Sequence, residues 1–328
     1  MDNNIKVSVI VITYNQEVYI RQALESILKQ NVSFRYEILV GDDASNDRTP
    51  AVVKEYYEKY PEIIVPVLRG NNVGAARNAY ELCRLAKGDY LAFCEGDDFW
   101  LSEKKLQIQV DFLDNHQDYI GCYNRCVVVD KDANALPFQL VRWVKYKKRF
   151  QFIDFEGGLF LPGQSSSIVK RNIFKNSDQD LSLLYKCNKD ISDRAANMIY
   201  LLEGDFYCID LELSAYRVDE LSKAGITNQK FKNNEDKMLL DLDMTKSLEE
   251  YATFRRGEKI IFSKKRCQIL AKSIILFFIK PCDKRLKVIK TVSADRGTPW
   301  YGFLYTPVFV FERILQDIWY MLKGYCGF

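Results

Sequence analysis

The residues best suited to chemistry lie in Cys94-Glu95-Gly96-Asp97-Asp98-Phe99-Trp100, where three carboxylates fall within four positions directly after an apolar run. Carboxylates that close repel one another, and taking them out of water is unfavourable unless a cation neutralises them. Mg2+ or Mn2+ suits such a cluster, because these ions take oxygen ligands: one or two protein carboxylates, with phosphates and water for the rest. On these residues alone, an acidic solvated turn is the alternative. A second acidic stretch, Gly41-Asp42-Asp43-Ala44-Ser45-Asn46-Asp47, could accept hydrogen bonds from a base or a ribose hydroxyl, and could equally be a loop with a helix cap. Asn72-Val73-Gly74-Ala75-Ala76-Arg77-Asn78 sets a glycine at a helix start with an arginine one turn in, a pattern open to an anion.

The elements around these stretches explain why they would meet. Val7 to Thr13 is a β-branched run of the kind buried on both faces of a parallel sheet, and Val18 to Lys29 has helical period. Strand signals recur at Tyr36 to Val40, Ile63 to Leu68 and Asp89 to Cys94, with helical segments at Thr49 to Tyr60 and Ala75 to Ala86 between them. Strands alternating with helices imply parallel pairing and an open α/β sheet whose ligands lie beyond the carboxyl ends of the strands. Thr13 to Asn15, Asp42 to Asp47 and Glu95 to Asp98 each follow a strand, so one crevice could gather all three. From about 99 to 220 the pattern is less regular, with a helix near Lys104 to Asn115, strands near Gly121 to Val129, Ser165 to Val169 and Phe206 to Tyr216, and a helix near Ser192 to Leu202.

Bulk properties narrow the classes. A chain of 328 residues with 48% hydrophobic and 28% charged residues is globular, and a net charge of +3 is too small to imply nucleic-acid binding. Nine cysteines without a CxxC pair suggest neither a zinc ribbon nor a disulfide framework and fit a reducing cytosol. The opening MDNNIK lacks the features of a signal peptide, so a cytoplasmic location is expected. His116 is the only histidine, which argues against Ser-His-Asp hydrolysis and histidine-bound zinc. Tyr14-Asn15-Gln16-Glu17 stands where a dinucleotide-dependent oxidoreductase would carry GxGxxG.

Taken together and in order, VSVIVITYNQEVYIRQALESILKQ, EILVGDDASNDRT, NNVGAARN and GDYLAFCEGDDFW followed by KLQIQVDFL resemble the GT-A glycosyltransferases of family 2, bacterial surface-polysaccharide type. The resemblance implies a GT-A (Rossmann-like), mostly parallel open sheet flanked by helices over 1–220, with a nucleotide-sugar half (1–115) and an acceptor half (116–220). It further implies that Thr13, Tyr14, Asn15 and Glu17 line the nucleotide pocket, that Asp42, with Asp43 beside it, contacts the base, and that Arg77 lies by the donor. Glu95-Gly96-Asp97 stands where such enzymes carry DxD, with Glu for the first Asp. Asp97 and Asp98 are then the metal residues, Asp97 the direct ligand, and Glu95 and Gly96 belong to the donor site, with Mn2+ or Mg2+ as cofactor.

An inverting member also needs a general base at a helix start in the second half, and counting back from Tyr216-Arg217-Val218 gives Asp193, with Asp190 one turn earlier as the alternative. The expected reaction is transfer from a nucleotide-diphosphate sugar, a UDP-sugar above all, to a glycan or lipid-linked acceptor. The rivals are a nucleotidyltransferase or a non-catalytic sugar-nucleotide-binding scaffold. Beyond 220 the chain reads as a helical extension whose basic belt, from Arg255 to Lys290, carries Ile269, Leu270, Ile274, Phe277 and Phe278 at helical spacing. The run Ile274 to Ile279 is far short of the ~20 residues that span a bilayer. Residues 255–328, with Val308, Phe311, Leu315, Ile318 and Leu322 near the end, thus suggest peripheral contact with the inner face of the membrane or a homodimer seam.

Overall fold

A computed structural model describes residues 4–136, 148–156, 159, 162–175, 179–188, 193–218, 234–279 and 281–299. Asp190 and the apolar repeat after Pro307 lie outside the described residues. Chain contacts divide the protein into two compact units, Met1–Gln151 with Leu161–Val218, and Phe152–Phe160 with Asp219–Phe328.

The first unit is built on one mixed sheet. Its strands are β1 (Ile5–Thr13), β2 (Arg35–Asp42), β3 (Ile64–Leu68), β4 (Tyr90–Phe93), β5 (Phe99–Trp100), β6 (Tyr119–Val129), β7 (Arg149–Phe150), β8 (Ile168–Arg171) and β9 (Asp205–Arg217), in the order β3-β2-β1-β4-β8-β6-β9-β5 with β7 also on β9. The first four strands pair in parallel, as the alternation of strand and helix predicts. Beyond β4 the sheet turns mixed: β8 enters antiparallel between β4 and β6, and β6 pairs with β9 in parallel. Helices α1 (Ile20–Leu28), α2 (Thr49–Lys59), α3 (Ala75–Leu85) and α4 (Lys105–Asn115) connect the strands.

The β-branched run of β1 is buried on both faces. Val7, Val9 and Val11 pack with Leu24 and Ile27 of α1, Val53 of α2 and Leu106 of α4, while Ile10 packs the other way with Leu82 and Cys83 of α3. A strand covered on both sides needs apolar residues at successive positions, and this is why it reads as a continuous run. Ser165–Ser167 form one 3₁₀ turn, and β8 begins only at Ile168, three residues later than the sequence pattern suggests, because those serines spend their hydroxyls on neighbouring polar groups.

The second unit comprises the short helix α5 (Phe152–Glu156) with, in chain order after α6 (Leu183–Lys186) and α7 (Asp193–Leu201) of the first unit, α8 (Asn234–Arg256), α9 (Ser263–Ile279) and α10 (Asp283–Ala294). Residues 152–160 join it because Phe152 and Phe155 pack on Phe262, with ring centroids 6.3 and 5.9 Å away. Ile269 and Leu270, part of the stripe that suggests a lipid surface, are instead used inside this unit, packed with Met238, Leu242, Val288 and Val292. Part of the basic belt is likewise committed: buried Arg266 pairs with Glu249 and Asp295, Lys265 with Asp241, and Arg285 with Glu235. Among the described residues no helix is long and apolar enough to cross a membrane.

Candidate active site

The acidic stretch continues the ladder that β4 makes with β1: Cys94 N donates to Ile10 O at 3.1 Å and Gly96 N to Ile12 O at 3.0 Å. Gly96 is required there, since a Cβ would come within 2.3 Å of Gln16 Oε1 and 2.8 Å of Thr13 Oγ1. The turn therefore presses the end of β1 against the acids. Glu95, Asp97 and Asp98 bring carboxylate oxygens within 4.8 Å of one another.

The three acids differ in environment. Asp98 is the most enclosed: its Oδ2 accepts from Ser166 Oγ at 2.6 Å and its Oδ1 from Arg217 N at 2.9 Å. Burial, and then the charge of Asp97, push its pKa up to about 8 against the pull of those two donors. Glu95 is half-buried, and its carboxyl lies well above the usual range through burial first and then the charges of Asp98, Asp97 and Asp193. Asp97 is also half-buried and raised by burial, with Arg217 and the Gln16 side chain opposing. Such a cluster is relieved by a cation.

Whether a divalent ion and its phosphate ligand suit these residues is answered by the donor set. It consists of hard carboxylate oxygens, two of them on half-buried side chains, beside the buried Thr13 hydroxyl and Gln16 amide oxygen, neither of which has a hydrogen-bond partner among the described residues. Polar groups orphaned in this way call for a polar ligand. The set fits Mg2+ or Mn2+.

The loops after β1 and β2 are laced together. Asn15 N donates to Ser45 Oγ at 2.8 Å, Asn46 N to Asn15 Oδ1 at 2.8 Å, Glu17 N to Asp47 Oδ2 at 3.1 Å and Arg48 N to Glu17 Oε2 at 2.8 Å. Asn15 and Ala44 take positive φ, 53° and 60°, a conformation that is unfavourable for non-glycine residues and gathers at functional loops. Tyr14 is exposed. Asp42 is buried and accepts from Ser45 N at 3.1 Å and Ser45 Oγ at 2.5 Å. Asp43 accepts from Val73 N at 2.8 Å and Gly74 N at 2.9 Å, fastening the start of α3. Arg77, one turn into α3, is exposed and pairs with Glu81 at 2.7 Å.

Asp193 is the first residue of α7, and Ser165 Oγ donates to its Oδ1 at 3.3 Å. Glu95, Ser165 and Asp193 line one cavity of about 80 Å³. Burial raises the Asp193 carboxyl, with the Ser165 hydrogen bond and the Lys170 charge opposing. The fold thus brings Asp193 to Glu95 and sets the acidic turn on Thr13 and Gln16, whereas Asp42, Asp43, Asn15 and Glu17 are engaged in binding loop to loop.

Several contributing residues were not picked out from sequence. Gln16 contacts Asp97, Ser166 holds Asp98 and the Glu95 amide, and Lys170 lines the cavity. Arg217 donates through Nε to Asp97 O at 2.8 Å and through Nη1 to Asp130 O and Lys131 O. Only Gln16 and Arg217 left a trace, inside the Thr13 to Glu17 stretch and at the strand end used for counting; the isolated serines and the lysine left none.

The mixed sheet, with an acidic turn after its fourth strand and a carboxylate facing that turn from a later helix, has the architecture of the GT-A fold. The profile described as "Glycosyl transferase family 2" matches residues 8–177, more than half of the chain, and the chain belongs to that family. An uncharacterized protein of Mycobacterium bovis is 41% identical over 137 residues, 42% of this chain and 40% of its own length. The poly(ribitol-phosphate) beta-N-acetylglucosaminyltransferase TarS of Staphylococcus aureus is 34% identical over 112 residues, 34% of this chain and 19% of its own length. The matches thus cover well under half of these curated relatives. The crystal structure of S. aureus TarS 1-349 with UDP-GlcNAc superposes with a TM-score of 0.63 at 18% identity, covering 94% of this chain and 88% of that one, which establishes the shared fold.

Proposed function

We propose that this family 2 glycosyltransferase moves a sugar from a nucleotide-diphosphate donor, a UDP-sugar, to a hydroxyl of a glycan or lipid-linked acceptor in surface-polysaccharide synthesis, inverting the anomeric carbon. The observation that carries the reading is the meeting of Asp193 and Glu95 in one cavity beside an acidic turn that fits a divalent ion. The choice of UDP draws on TarS, whose solved structure holds UDP-GlcNAc.

In this reading Asp97, with Asp98 alongside, holds Mn2+ or Mg2+, which when bound offsets the charge growing on the diphosphate. Asp98 keeps the turn in shape through Ser166 and Arg217. Asp193 accepts the proton of the acceptor hydroxyl as that oxygen bonds to the anomeric carbon. The bond from that carbon to the diphosphate breaks, its electron pair leaving with the phosphate. Attack from the face opposite the leaving group inverts the centre. Ser165, hydrogen-bonded to Asp193, holds the base oriented toward the cavity, and burial strengthens it as a base.

Asp193→Asn is expected to keep UDP and Mn2+ binding, measured by calorimetry, while turnover with a panel of UDP-sugars falls by ~10² to 10⁴. Unchanged turnover removes Asp193 from the role, and absence of metal-dependent UDP binding in the wild type overturns the whole reading.

A further inference from the structure

β8 alternates its side chains across the sheet: Val169 packs into the main core, while Ile168 and Lys170 point the other way into the cavity shared with Glu95 and Asp193. The walls there are mostly apolar, with Ile10, Ile12 and Phe93 from the sheet and Ala79 and Tyr200 from the helices. Lys170 is only 6% exposed. Its Nζ lies 4.0 Å from the Tyr200 ring centroid and 4.5 Å from that of Phe93, and among the described residues it has no hydrogen-bond or ion-pair partner.

An ammonium carries three donors, and ring faces satisfy its charge only in part. Burial draws the Lys170 pKa down to about 8, opposed by Cys83 and then Asp193, so at neutral pH the group is still mostly charged. The cavity therefore contains a cation with unused donors. A neutral sugar can accept from those donors through its hydroxyls but brings no charge to balance the buried ammonium. An anionic sugar brings that charge, and its carboxylate in turn finds a counter-ion in a cavity of mostly apolar walls.

We infer that Lys170 recognises a carboxylate borne by the sugar that enters this cavity. The inference rests on the cavity being the sugar site of the proposed reaction. The carboxylate belongs to the donor sugar or to the acceptor sugar, and two pairs of probes separate these sources: UDP-glucuronate against UDP-glucose, and methyl glucuronide against methyl glucoside in the presence of UDP and Mn2+. Each pair differs only in a carboxylate for a hydroxymethyl group.

Calorimetry on the full chain is expected to show the charged member of one pair binding at least about tenfold tighter than its neutral twin. Lys170→Met should abolish that ratio and leave the affinity for UDP alone unchanged, while Lys170→Arg should retain it. Removing a buried charge does not threaten folding, and a melting temperature no lower than that of the wild type would verify this. The inference is overturned if neither pair discriminates in the wild type, or if discrimination survives Lys170→Met, with UDP still bound in both cases. Loss of UDP binding in the wild type would instead strike the proposed function itself.

Discussion

The two sides of the site are fastened by different kinds of contact. Around the ends of β1 and β2, several modest bonds link neighbouring loops, Asn15 with Ser45 and Asn46, Glu17 with Asp47 and Arg48, so that each shares the work with the others. On the far side, single residues carry more. Arg217 reaches back 120 positions to the carbonyl of Asp97, also binds Asp130 O, Lys131 O and Gln22 Oε1, and stacks on Tyr19 at 4.6 Å, while its own amide holds Asp98. The laced side should thus tolerate the loss of one member, and the far side should not.

The largest expected effect tests that contrast. Arg217→Met leaves three part-buried carbonyls without their donor and should cost about 2–4 kcal/mol, with weaker Mn2+ and UDP binding as the acidic turn loosens. Asn15→Ala should cost about 1 kcal/mol or less, since it removes only the Oδ1 acceptor of the Asn46 amide, in a bond exposed to water. Urea unfolding of the two variants measures both, and equal losses would erase the distinction.

The same contrast decides what could be read in advance. The parallel half was legible because periodicity and loop composition are local: the run in β1, the acids after β4 and the glycine before α3 are each contained in a few consecutive residues. On the far side the strands and helices were legible in outline, whereas the choice of Asp193 at a helix start came from the count that the resemblance supplied. Pairing of β8 between β4 and β6, and the closure of the turn by Ser166 and Arg217, depend on contacts between positions 45 to 120 apart, which no window of the sequence displays. The apolar stripe of α9 was legible as a face but its cover was not: α8 and α10 pack on Ile269, Leu270 and Ile274, while Phe278 stays exposed.

Two buried lysines sharpen the comparison at smaller amplitude. Lys105 in α4 has a local partner, donating to Gln109 Oε1 at 2.7 Å, and lies over Trp100 at 4.3 Å, whereas Lys170 on the far side has only its two rings. Burial draws both down from 10.5 to about 8. Between those values the unfolded chain holds a proton that the native one lacks, so each lysine lowers stability fully below pH 8 and the penalty fades as pH rises toward 10.5. Lys170→Met should therefore stabilise the protein by about 1–3 kcal/mol at pH 7, with the gain shrinking above pH 8. Lys105→Met should gain little, because Gln109 loses its donor and an unpaired buried acceptor costs about 1–3 kcal/mol. Melting curves from pH 6 to 10 would refute the comparison if Lys105→Met stabilised as much.

The smallest effect belongs to Arg77, a residue of the donor reading that the structure leaves exposed to water. Its guanidinium pairs with Glu81, four residues on, and Glu81 also holds Arg69. An arginine so placed acts on an approaching diphosphate through a screened field, so Arg77→Gln should raise the donor KM by no more than about threefold at low salt and leave kcat alone. The difference should vanish at about 0.5 M salt, where screening is nearly complete over such distances. A larger, salt-resistant change in KM would mean that Arg77 leaves Glu81 to grip the donor directly, and would move it from the solvent-facing periphery of the laced side to the centre of the site.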